Sequence, residues 1–141
     1  MVNILAALGR AQLKKLPQTL ATKKNIFIKY ETAFTELGIK IYSENQSLSN
    51  YWLVNILLDS PLERDRVLQK LSEDNIQARP LWTPIHRQPA FHRFQRAPNR
   101  FPNADDLWNK CVSLPSSPSL SDSDLERVVG SVRQSLKGRI R

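Results

Sequence analysis

Apolar residues recur at helical spacing from the start of the chain: Ile4, Leu5, Leu8, Ala11 and Leu16 form one stripe, with Arg10, Lys14 and Lys15 turned away from it. This predicts a helix over Asn3 to Leu16, with Asn3 its only cap residue. Pro17 suits the first turn of a second helix, where its missing N–H costs nothing, and the stripe Leu20, Phe27, Tyr30, Phe34 and Leu37 then runs to Gly38 as a stop. Ile39 to Tyr42 alternates like a strand, Ser43 to Ser49 is polar loop, and Tyr51 to Leu58 is an apolar strand that can pair antiparallel with the first. Ser60-Pro61-Leu62-Glu63 carries a capping serine, a proline at the first helical position and a glutamate placed to return the bond. A helix is therefore expected to about Asn75, with Leu62, Leu68 and Leu71 facing the core. Ile76 to Ala78 reads as a short strand, Ala104 to Lys110 as a short helix, and Cys111 to Leu114 as a further core strand. Ser121 caps a last helix with the stripe Leu125, Val128, Val129, Val132 and Leu136, and Lys137, Arg139 and Arg141 suit its C-terminal end.

The elements thus run α-α-β-β-α-β-α-β-α, with too few and too short strands for a doubly wound sheet. The expected class is α+β, a short, mostly antiparallel sheet with helices packed on one face. At 141 residues there is room for one ordinary domain, and 40% hydrophobic with 24% charged residues is a globular balance. A formal charge of +8 favours phosphate-bearing partners without choosing among nucleic acid, nucleotides and an acidic membrane face. The single cysteine, Cys111, excludes an internal disulfide framework and fits a reducing compartment, so a cytoplasmic address is expected. No apolar run reaches the roughly 20 residues needed to cross a bilayer, and no membrane partner is expected.

The segment from Arg79 to Phe91 and the tract after it hold most of the candidate chemistry. Between Asp74 and Asp105 there is no acidic residue, while Arg79, Arg87, Arg93, Arg96 and Arg100 interleave with Trp82, Phe91, Phe94 and Phe101. That mixture grips anions and flat rings, and single-stranded nucleic acid is one ligand it could fit. Against nucleic acid, the aromatics are scattered in a proline-broken loop. His86 and His92 match no metal-ligand spacing and have no cysteine or carboxylate nearby in sequence, so no metal is expected. Cys111, in an apolar strand context, reads as a buried inert thiol.

Three blocks carry more than pattern: Met1 to Leu13 (MVNILAALGRAQL), Asn50-Tyr51-Trp52-Leu53, and Arg79-Pro80-Leu81-Trp82-Thr83-Pro84-Ile85-His86. In order and spacing they resemble landmarks of the pyridoxal-phosphate-dependent sugar aminotransferases of the DegT/DnrJ/EryC1/StrS family. A fourth, from Phe101-Pro102-Asn103-Ala104 to Val112-Ser113-Leu114-Pro115, resembles that family's ending. The likeness covers essentially the whole chain, but only the C-terminal third or so of such an enzyme. Its wording is most similar to members that aminate a UDP-linked 4-keto-6-deoxy sugar.

The resemblance implies the small C-terminal domain of a fold-type I aminotransferase over residues 39–141, preceded by a helical segment, 1–38, that would join it to a large domain. It implies amino transfer from glutamate through pyridoxal phosphate to a nucleotide sugar, and a homodimer. Family members use a lysine for the cofactor's Schiff base and an acidic partner for its pyridine nitrogen, both on the large domain. Lys14, Lys15, Lys23, Lys24 and Lys29 fall on the polar sides of solvated helices and are not credible substitutes. The chain is therefore expected to be a fragment, inactive alone, with no catalytic or cofactor-binding residue and no cofactor of its own. The residues it would lend to a substrate pocket are Arg79 for a diphosphate, Trp82 for a ring, His86 for sugar hydroxyls or phosphate, and Asn50 and Tyr51 from a strand end. The alternative is a stand-alone basic module binding phosphate-rich ligands such as nucleic acid.

Overall fold

The computed structural model describes residues 2–43, 49–94 and 101–137. Within them the order is α1 (Asn3–Glu36), β1 (Lys40–Ile41), β2 (Val54–Leu57), α2 (Pro61–Glu73), β3 (Arg79–Pro80), two short 3-10 turns (Ile85–Arg87 and Pro89–Phe94), α3 (Pro102–Lys110), β4 (Cys111–Leu114) and α4 (Asp122–Ser135). The four strands form one antiparallel sheet in the order β1-β2-β4-β3.

Side chains alternate across that sheet. Val54, Ile56, Val112 and Leu114 share one face by register, and there they meet Ile26, Tyr30 and Phe34 of α1, Val67 and Leu71 of α2, and Leu125, Val128, Val129 and Val132 of α4. Helices cover that face and make the core, as the α+β reading requires. Each fully buried aliphatic or aromatic side chain there contributes about 1.5–3 kcal/mol.

The helix ends follow local rules. Ser60 Oγ accepts from the Glu63 N–H at 3.2 Å, and Glu63 Oε2 accepts in return from the Asp59 N–H at 3.0 Å, so the returning bond reaches one residue further back than a capping box. Ser121 Oγ likewise accepts from the Asp124 N–H at 3.1 Å. Gly38, at φ 67°, ends α1 with Ile39 N–H donating to Phe34 O and its own N–H to Thr35 O; Asn75, at φ 56°, ends α2 by the same double bond pattern to Leu71 and Ser72.

Three expectations are corrected. The two helices expected on either side of Pro17 are one helix of 34 residues with Pro17 inside it. Pro17 leaves the Leu13 carbonyl without its helical donor, but Leu13 is 67% exposed, so water can serve it. Leu62 is 60% exposed rather than in the core, because the buried stripe of α2 centres on Val67, about 140° around the helix at 100° per residue. The strand expected at Ile76 to Ala78 lies instead at Arg79–Pro80: the Ile76 N–H is taken by Leu71 O, and the Ala78 N–H turns back to Ile76 O, so neither donates to a ladder.

Candidate functional site

The register Arg79↔Ser113↔Asn55 sets three polar side chains in one row on the face of the sheet away from the core. Ser113 Oγ donates to Asn55 Oδ1 at 2.6 Å across that row. At its β3 end opens a hollow of about 630 Å³, lined among others by Lys23, Trp52, Arg79, Trp82, Ser113 and Ser116. Among the described residues lining it there is no carboxylate.

Two indoles form its aromatic corner. Trp52 and Trp82 meet edge to face, centroids 5.4 Å apart at 71°, yet Trp52 is 57% and Trp82 70% exposed. An aromatic pair left this open offers π-faces to a flat or sugar ring. Arg79, also exposed, supplies a planar fork of donors beside it.

Of the five residues expected in a substrate pocket, the structure brings Arg79 and Trp82 together. His86 is directed elsewhere: its Nε2 is 2.8 Å from Asp105 Oδ1, and its ring packs on Phe101 at 4.8 Å. Arg87 Nε donates to the same oxygen at 2.5 Å while its guanidinium lies over the Trp108 ring at 4.8 Å. The hydrogen bonds from Arg87 and then His86 hold the Asp105 carboxyl below the ordinary carboxylate range. Asn50 Oδ1 accepts from the Trp52 N–H at 3.0 Å, and Tyr51, at φ 51°, packs on Phe27. Tyr51 borders a second hollow of about 520 Å³ with Tyr42 and Asn55. Asn50 and Tyr51 thus shape the loop that delivers Trp52.

Two residues of the hollow were not anticipated. Trp52 stands in the Asn50-Tyr51-Trp52-Leu53 block, and an aromatic after a polar pair at a strand entrance is a signal that could have marked it. Lys23 carries no such local signal. Expected on a solvated polar face, it is half-buried and donates to Ser116 O at 2.7 Å and Trp52 O at 3.2 Å, with burial lowering its pKa. Cys111 is 1% exposed, and burial, then the charge of Asp106, push its thiol up to about 11, which keeps it protonated near neutrality. The basic tract that suggested nucleic acid falls partly at 95–100, outside the described residues.

The hollow does not fit a covalently held pyridoxal phosphate. The one amine of its described lining, Lys23, is occupied by two backbone carbonyls, and that lining offers no carboxylate for a pyridine nitrogen.

Residues 1–133 match the model of the DegT/DnrJ/EryC1/StrS aminotransferase family. EpsN of Bacillus subtilis (strain 168), whose name describes a pyridoxal phosphate-dependent aminotransferase, is 35% identical over 131 residues, covering 90% of this chain and 34% of EpsN. The GDP-perosamine synthase of Escherichia coli O157:H7 is 30% identical over 136 residues, 95% of this chain and 36% of the synthase. The aminotransferase TlmJ from Streptoalloteichus hindustanus shares the fold with a TM-score of 0.83 at 24% identity, over 94% of this chain and 36% of TlmJ. The chain therefore spans 34–36% of the length of these proteins. On this evidence the chain belongs to the DegT/DnrJ/EryC1/StrS aminotransferase family.

Proposed function

We propose that this chain works as the C-terminal part of a pyridoxal-phosphate-dependent nucleotide-sugar aminotransferase, and that its hollow is one wall of the sugar-nucleotide pocket. The observation that carries this reading is the grouping of Arg79, Trp52 and Trp82 around one open hollow in a chain of this family. A guanidinium takes two oxygens of a diphosphate at once, and the indole corner covers a ring. With no described carboxylate in the lining, nothing there repels the phosphates.

In this reading the substrate is a UDP-linked 4-keto-6-deoxy sugar and the amino group comes from glutamate. The cofactor supplies the amino-transfer chemistry in the complete enzyme; Arg79 and the two indoles bind and orient the substrate. Residues 3–18 of α1 are the link to a large domain and part of a dimer contact, whereas the distal half of α1 belongs to the small domain, since Ile26, Tyr30 and Phe34 lie in its core. The chain alone binds neither cofactor nor a second substrate productively.

The test is calorimetric titration of UDP into the chain and into Arg79→Ala. Losing a charged hydrogen-bond donor of about 1.5–3 kcal/mol is expected to weaken binding roughly 10- to 100-fold, with the thermal melt unmoved. Pyridoxal phosphate, glutamate and the keto sugar added to the chain are expected to give no amino sugar. Equal UDP affinity in the variant, or product from the chain alone, would contradict the proposal.

A further inference from the structure

Two chain segments reach the rim of the hollow just beyond the sheet: the approach to β2 at Trp52, and the exit from β4 at Pro115 and Ser116. Beyond a ladder, backbone carbonyls must find other donors. One face of α1 supplies them. Lys23 Nζ donates to Ser116 O at 2.7 Å and to Trp52 O at 3.2 Å, and Tyr30 Oη, two helical turns on, donates to Pro115 O at 3.0 Å. Ser116 Oγ closes the circuit by donating to Trp52 O at 2.8 Å.

A lysine fixed in one geometry gives up its rotamer freedom, and burial penalises its charge. Apolar packing alone would not select an ammonium here. What the ammonium adds is a second donor to the Trp52 carbonyl, beside Ser116 Oγ, and a bond to the Ser116 carbonyl that the hydroxyl cannot make, on the residue whose indole meets Trp82.

We infer that Lys23 is the positioning residue of the hollow, stapling Trp52 to the Ser116 loop so that the edge-to-face indole corner is preformed before a nucleotide sugar arrives. The geometric part stands on the contacts alone; its effect on ligand affinity rests on the proposed function above.

The two parts are tested separately. An edge-to-face tryptophan pair gives a far-ultraviolet exciton couplet in circular dichroism, identified here as the signal that Trp82→Phe removes. Lys23→Met is expected to lose the couplet and Lys23→Arg, which keeps donors, to restore it in part, while Lys24→Met leaves it intact. A full couplet in folded Lys23→Met overturns the inference. If Lys23→Met does not fold, the intact chain still decides by ¹⁵N-edited NMR: ammonium protons of Lys23 protected from exchange support the staple, and fast exchange overturns it. UDP titration then reads the second part, about tenfold weaker binding in folded Lys23→Met than in the parent. A couplet that follows Lys23 in a chain that binds no UDP keeps the staple and removes the pocket reading; UDP binding unchanged in a couplet-free variant removes the link between them.

Discussion

Asp105 is the first acidic residue after a long basic stretch, and it holds two of that stretch's cationic or ionisable side chains at a single oxygen. Arg87 and His86 thereby tie the turn Ile85–Arg87 to α3. Because the folded carboxyl titrates below its ordinary value of 3.8, its contribution is complete above that value and is lost as pH falls through the lower folded value. Acidification is therefore expected to release the turn before the core melts, visible as a change at the Trp108 indole N–H in NMR. Asp105→Asn should abolish that acid step; a step that persists would assign it to another group. The same residues show what the sequence made legible. Arg79 and Trp82 stand three positions apart, so their grouping is readable, whereas the partner of His86 lies 19 positions on and the partner loop of Lys23 lies 93. Pairings made only by folding leave no periodic or spacing signal.

Caps and stops were readable for the opposite reason, since each is made within a few residues. Ser60, Ser121 and Gly38 act at or beside the expected helix ends. Pro17 was not, because the rule that proline starts helices competes with the rule that exposed helices tolerate it when water serves the orphaned carbonyl. Pro17→Ala is expected to raise far-ultraviolet helicity and slow amide exchange across residues 10–20. The local gain should approach the proline penalty of about 3 kcal/mol. The global melt should barely move, because residues 3–18 bury nothing in the core. Unaltered exchange in that window would mean the helix is already continuous at no cost.

At the scale of the whole chain, a closed core sits beside an open apolar helix. Ile4 is 77% exposed, Leu5 58%, Leu8 56% and Leu16 45%, on a half-helix that projects beyond the sheet's cover. In the proposed enzyme this stripe is covered by the rest of the molecule; alone, the chain is expected to self-associate and to bind ANS. Sedimentation should show mass rising with concentration, and Leu5→Glu with Leu8→Glu should leave a monomer with an unchanged melt. A parent chain that stays monomeric at high concentration would count against the linking role of residues 3–18.

The sheet's two outer rails bear on what form that association takes. β3 is two residues long and ends in Pro80, which has no N–H to offer; β1 is equally short and carries Lys40. Among the described residues, neither edge offers an incoming strand more than two residues to pair with. Association through α1 is thus expected as side-by-side helix contacts that dissolve on dilution rather than as fibres grown by strand addition to the described edges.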